Sequence, residues 1–291
     1  MSQTTTMFNF IHCDVFATKP YSGNSLAVFP ESAGLNGDQM LTITQELRHF
    51  ETIFLNKRNG QVSARVFDLF EELPFAGHPI IGAACALHNI SGLGGAQTWQ
   101  IELQEGRSVS VTTVCNEGRY VGTLDQGRPD MIASVPESAK PSIAAAFNLN
   151  MSQISELPLE VISTGLKYLV VPVIDGLKDA RITIPDLEHK LANLGAEFAY
   201  LIDVNKFEGR HWNNDGIMED VATGSAAGVI GAYALKHGLI APDQSFALKQ
   251  GHFIGRPSEI SVTSHGSSTA ISHVTVAGEV AFVGKGEVVT P

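Results

Sequence analysis

Two stretches of this chain carry no charge on any side of a helix. They are Pro79-Ile-Ile-Gly-Ala-Ala-Cys-Ala-Leu87 and Ala226-Ala-Gly-Val-Ile-Gly-Ala-Tyr-Ala-Leu235. A helix that is apolar all round is buried all round. Each falls well short of the ~20 residues of a membrane span. Each must therefore be wrapped by other elements, and most of the surrounding sequence reads as short strands. Glycine and alanine in both stretches let neighbouring backbones approach closely.

The pattern predicts strands at Phe8–Phe16, Ser25–Phe29, Glu51–Leu55 and Val62–Phe67, and more from Thr98 to Leu124. Asn36 is placed to cap a helix through Met40, Ile43 and Leu47, which are spaced three and four apart. The first buried helix should run from near His78 to about Asn89. Pro136 to Leu157, rich in Ser, Pro and Ala, reads as helical with a linker inside it. The second half repeats the order, with strands at Val161–Thr164 and Tyr168–Val173 and a helix at Pro185–Leu194. A strand at Phe198–Val204, the second buried helix at Ala222–His237 and further strands from Phe246 to Val283 complete it.

The two buried helices open alike, with Gly77-His78 and Gly224-Ser225, an offset of 147 residues in a chain of 291. Upstream, Phe50-Glu51-Thr52-Ile53-Phe54 lies against Phe198-Ala199-Tyr200-Leu201-Ile202, and Arg65-Val66-Phe67 against Arg210-His211-Trp212. The expected architecture is α+β: two pseudo-symmetric halves, each a rolled, mostly antiparallel, barrel-like sheet around a central buried helix. The halves are placed at residues 1–135 and 136–291, with the C-terminus free to cross back. They are expected to face each other across a cleft, the usual place for a small ligand between domains.

Composition removes other readings. The formal net charge of −11 opposes nucleic acid and anionic membrane surfaces alike. The first basic residue is Lys19, and the longest apolar run, Tyr168–Ile174, is far too short for a span, so a cytoplasmic protein is expected. Cys13, Cys85 and Cys115 are odd in number and scattered, and they read as buried thiols in a reducing compartment. Gly224-Ser-Ala-Ala-Gly228 is not a hydrolase elbow. No histidine or cysteine spacing matches a zinc site, and no nucleotide-binding loop occurs. No cofactor is implied.

Where the halves disagree, chemistry is expected. Glu51 matches Ala199, Asp220 matches Leu73, and His78 matches Ser225. In a strand Glu51 shares a face with Ile53 and Leu55. A carboxylate on an apolar face is desolvated and its pKa rises, as suits a general acid/base near neutral pH. A solvent-facing Glu at the strand end is the competing reading. His78 sits where helix N–H groups favour negative charge. It can donate to a substrate anion, pair with a carboxylate, or simply cap. Asp220 is either the second carboxylate of an acid/base pair or a loop residue holding backbone N–H groups. Thr223 or Ser225 could cap the second helix.

Several ordered motifs then resemble the PhzF family. They are Asp14-Val-Phe16 with Pro20-Tyr-Ser-Gly-Asn-Ser-Leu-Ala-Val28, Glu46-Leu47 with Glu51-Thr-Ile-Phe-Leu55, and Glu72-Leu-Pro-Phe-Ala-Gly-His-Pro79. The resemblance continues in Ser163-Thr-Gly-Leu166, Glu219-Asp-Val-Ala-Thr-Gly-Ser-Ala226, and Gln250-Gly with Gly255-Arg-Pro-Ser258. It implies a diaminopimelate-epimerase-like fold and a homodimer. It implies a cofactor-independent isomerase in which a glutamate shuttles a proton. Those roles map onto Glu51, His78, Asp220 and Ser225, with Gly77 and Gly224 at the substrate. The family has Pro after the Asp of its second motif; Val221 stands here, and a looser loop is expected. The function expected is proton transfer on a small carboxylate-bearing substrate. The alternative is a non-catalytic small-molecule binder with the same cleft.

Overall fold

The computed structural model describes residues 6–291. It divides into Met1–Asp125 with Ala277–Pro291, and Gln126–Val276. The division thus lies before residue 135, and the last segment returns to the first unit.

The first unit contains β1 (Met7–Val15), β2 (Asn24–Phe29), α1 (Gly37–Leu47), β3 (Glu51–Arg58), β4 (Gln61–Phe67) and β5 (Glu72–Leu73). It continues with α2 (Gly77–Ser91), β6 (Gly95–Glu102), β7 (Ser108–Asn116) and β8 (Arg119–Asp125). In the second unit lie β9 (Asp130–Ser134), α3 (Lys140–Ala146), β10 (Glu160–Ser163), β11 (Lys167–Val173), α4 (Leu187–Ala192) and β12 (Phe198–Asp203). There follow β13 (Glu208–Arg210), α5 (Gly224–Lys236), β14 (Ser245–Gln250) and β15 (Ser258–Ser267). The long β16 (Ala270–Val289) begins in the second unit and ends in the first.

In the first unit the strands run β1-β2-β3-β4-β6-β7-β8-β16, and β16 pairs back onto β1, with Cys13 opposite Phe282. The sheet closes on itself. Closure leaves no free edge and demands a filled interior. The filler is α2, buried without a break from Gly77 to His88. A Cβ on Gly82 would lie 2.4 Å from Leu26 and 2.9 Å from Val15. Only glycine lets the helix approach these strands so closely. On the outside, α1 is held by the expected Asn36 cap, completed by Gln39. It covers an aromatic cluster in which Phe54 stacks on Phe29 and meets Phe67 edge to face.

The second unit repeats the plan. Its strands run β9-β10-β11-β12-β13-β14-β15-β16, and α5, buried from Gly224 to Leu235, packs on β10, β11 and β15. The β2–β3 pair is parallel and β3–β4 antiparallel; β11–β12 and β12–β13 repeat those directions. Even the side-chain furniture recurs. Arg65 Nε donates to Glu72 at 2.7 Å and its guanidinium lies over Phe67. Arg210 Nε donates to Glu219 at 2.8 Å and its guanidinium lies over Trp212. The fold is α+β with two pseudo-symmetric halves, as the sequence repeat implied. Among the described residues, no helix is long and apolar enough to cross a membrane.

Three expectations need correction. Between Pro136 and Leu157 the one α-helix is α3, started by Pro141 in its first turn and ended before Asn148, whose φ is +58°. The rest is single turns and loop. Cys115 is half-buried rather than buried, although Cys13 and Cys85 are enclosed as expected. Thr223 occupies the N-cap position of α5 without capping it, because its hydroxyl is used elsewhere.

Glu160 on β10 accepts from Lys236 at 2.8 Å and from His237 at 3.1 Å, both at the end of α5. Burial alone would raise its carboxyl pKa, but these two hydrogen bonds and their charges outweigh burial and hold it below the ordinary carboxylate value. A carboxyl depressed on folding stabilises the fold above its unfolded pKa of about 4.3, and that stability is lost as pH falls further. Melting curves from pH 6 to pH 3 should therefore drop less steeply for Glu160→Gln than for wild type. Parallel curves would show that the triad contributes nothing.

Candidate active site

The sequence leads β3 straight out of the turn that follows α1, so Glu51 is the first residue of an internal strand. It pairs in register with Leu26 of β2. Its neighbours on that face, Ile53 and Leu55, are fully enclosed, and Glu51 itself is only 8% exposed. The solvent-facing alternative is thereby excluded. His78, 4% exposed, lies in the first turn of α2 directly after Gly77. Its Nδ1 is 3.1 Å from Glu51 Oε2. The two residues singled out from opposite ends of the first repeat are thus one acid–imidazole pair in a dry setting.

Asn24 is a third member that sequence reasoning missed. Fully buried at the start of β2, it places Nδ2 3.4 Å from His78 Nδ1. Its position is prepared by the turn before it. The buried carboxylate of Asp14 accepts the Tyr21 N–H at 2.6 Å. Gly23 has φ +61°, and a Cβ there would lie 2.4 Å from the Val15 carbonyl. The available signal was Gly23-Asn24 inside a motif otherwise read only for its resemblance.

In the second unit Asp220, 5% exposed, lies on the loop that leads into α5. Its backbone N–H donates to the His211 carbonyl at 3.0 Å. Its Oδ2 accepts the Thr223 hydroxyl at 2.6 Å, and its Oδ1 accepts the Ala222 N–H at 3.3 Å. The loop-holding role weighed from sequence is therefore real, and it fixes the carboxylate in one orientation. Beneath it His211 donates Nδ1–H to the Ala199 carbonyl at 2.9 Å. Burial, more than any neighbour, keeps its pKa below the ordinary histidine value. Tyr200 is pushed the other way by burial and then by the charge of Asp220.

Ser225, in the first turn of α5, meets the Tyr168 hydroxyl at 2.8 Å. The Thr164 hydroxyl donates to Gln126 Oε1 at 2.8 Å and lies 3.2 Å from the Ser225 carbonyl. Gln126 in turn donates to the Gly224 carbonyl at 2.8 Å. The start of α5 is thus braced by strand β11 and by the segment that opens the second unit. The loop containing Val221 is not loose. Ser258 Oγ lies 3.0 Å from both the Val221 and the Gln250 carbonyls, and Gly251 packs on the Val221 carbonyl where a Cβ would come within 2.7 Å.

Of the six residues read from sequence, the structure brings Gly77, His78 and Glu51 together in the first unit. It gathers Asp220, Gly224 and Ser225 around the first turn of α5 in the second. The first group can take up and return a proton. The second presents a fixed carboxylate and a hydroxyl.

Comparison with known proteins gives a consistent picture. A family model described as phenazine biosynthesis-like protein (PhzC-PhzF) matches residues 13–286. The chain is 31% identical over 299 residues to the trans-2,3-dihydro-3-hydroxyanthranilate isomerase of Pseudomonas fluorescens, covering 97% of this chain and 100% of that one. It is 30% identical over 280 residues to an uncharacterised isomerase, YddE, of Salmonella typhimurium, covering 92% and 94%. Among solved structures, a predicted epimerase from Pseudomonas aeruginosa superimposes with a TM-score of 0.90 at 40% identity, covering 97% and 99%.

Proposed function

Because this chain belongs to the phenazine biosynthesis-like (PhzC-PhzF) family and is an isomerase or epimerase, we propose that it works without a cofactor, through Glu51, on a small substrate bearing a carboxylate. Glu51 takes a proton from a carbon made acidic by an adjacent carbonyl, carboxylate or diene. The C–H electron pair moves into that acceptor. The same glutamic acid then returns the proton to a different carbon, or to the opposite face of the first, and the displaced pair closes the new C–H bond. No atom is gained or lost.

The observation that carries this reading is the buried Glu51–His78 contact of 3.1 Å. A carboxylate in a dry environment is a stronger base than one in water, and an imidazole beside it can exchange a hydrogen bond as the proton comes and goes. In the first unit His78 is given the role of orienting a polar group of the substrate, and the Gly77 amide that of taking an anion at the start of α2. In the second unit Asp220 is given the orienting role, and Ser225 with the Gly224 amide the anion-holding one, at the start of α5.

One relative supplies the first compound to try. Trans-2,3-dihydro-3-hydroxyanthranilate and a panel of small chiral carboxylic acids are incubated with the protein in deuterated water and followed by NMR. Conversion to an isomer is expected for one of them, with deuterium at the carbon that gains the proton to the extent that protonated Glu51 exchanges with solvent before it returns the proton. A compound that raises the melting temperature but is neither converted nor exchanged would instead make this a binding protein.

A further inference from the structure

Gln250, the last residue of β14, is 1% exposed and makes four hydrogen bonds through its amide. Its oxygen accepts from the Tyr200 hydroxyl at 2.9 Å and from the Thr223 N–H at 3.1 Å. Its nitrogen donates to the Asp220 carbonyl at 2.8 Å and to Thr223 Oγ1 at 2.9 Å. An amide has two donor hydrogens and two acceptor lone pairs, so every capacity of this side chain is used and its orientation is fixed. Three of the four partners belong to the loop that carries Asp220.

The bond to Thr223 Oγ1 has a directional consequence. A hydroxyl has one proton. Because Gln250 donates to this oxygen, the Thr223 proton must point elsewhere, and the acceptor in reach is Asp220 Oδ2 at 2.6 Å. The amide therefore dictates which way the hydroxyl faces.

We propose that Gln250 is a positioning residue for Asp220: it orients the Thr223 hydroxyl toward the Asp220 carboxylate and anchors the same residue's backbone carbonyl, so that the carboxylate is presented in one orientation. This rests on the role given to Asp220 above.

The test is made on the full chain without substrate. Aspartate carboxyls are labelled with carbon-13, and the Asp220 signal is assigned by its loss in Asp220→Asn. That signal is then compared at one fixed pH in wild type, Gln250→Met, Thr223→Val and the double variant. A single sharp line is expected in wild type. Gln250→Met should broaden or split it, because the carboxylate then samples more than one orientation, while the other aspartate lines stay as they are. Thr223→Val should do the same, and the double variant should go no further than either single change, since both act through one hydroxyl. Thr223→Ser, which keeps the hydroxyl, should give the wild-type line. If Gln250→Met does not fold, Gln250→Asn, which withdraws the same amide by one methylene without adding charge, carries the same comparison.

An unchanged line, or changes that add, would overturn the positioning role. Full turnover by Asp220→Asn would remove Asp220 from the mechanism while leaving the result on its orientation to be judged separately.

Discussion

Glu51→Gln should lower isomerisation by roughly 10²–10⁴-fold, the range typical of losing one positioned acid/base group, while the melting temperature stays close to wild type. Glutamine keeps the volume of the side chain, and its carbonyl can still accept from His78 Nδ1. What it lacks is any ability to take a proton from carbon. The contrast with stability is the informative part. A residue 8% exposed whose replacement abolished activity by unfolding the barrel would lose both together. Turnover and solvent-deuterium incorporation are measured alongside thermal melting on the same samples. Undiminished turnover in a folded Glu51→Gln protein would end the proposal that this carboxylate shuttles the proton.

The largest loss of stability is expected at Arg210. Its guanidinium donates to both Glu219 oxygens, at 2.8 and 2.6 Å, and to the carbonyls of Leu177 at 2.6 Å and Ala180 at 3.0 Å. The Arg210 and Glu219 side chains are 9% and 8% exposed. Arg210→Met leaves a buried carboxylate and two carbonyls without their donor, which costs about 3–5 kcal/mol. The equivalent pair in the other repeat offers an internal control. The side chain of Arg65 is 39% exposed, so water can replace what Arg65→Met removes, and the cost should be under about 1 kcal/mol. Urea denaturation of the two variants should separate them clearly. Equal losses would mean that burial does not decide the value of this motif.

Some of this was legible in the sequence, for identifiable reasons. The strands read at Glu51–Leu55 and Tyr168–Val173 announced themselves by β-branched and aromatic runs, because they face a core; the structure extends them to Arg58 and back to Lys167. The buried helices did so because nothing along them is charged. β9, Asp130–Ser134, gave no signal: every residue on it is exposed, so no alternation against a core is imposed. β5 and β13 are two and three residues long and exist only because a partner strand lies alongside. The Ala-rich segment after Pro136 suggested more helix than forms, because propensity is a weak prior that neither Pro141 nor Asn148 respects. At the site, Glu51 stood out as a carboxylate among apolar neighbours. Gln250 and Asn24 did not, because an amide titrates nowhere and its role depends on partners far away in the chain.

The return of β16 to β1 also dictates an order of events during synthesis. The strand that seals the first barrel, from Ala277 onward, is made only after the whole of the second unit, whereas β1 is made before it. Until then the outer strands of the N-terminal unit wait with unsatisfied edges, which invite pairing with other chains. The intervening unit has all of its own strands before that moment. Deleting the part of β16 that pairs with β1, Val280–Val289, would thus injure the unit that was made earlier, and would spare the one that immediately precedes it.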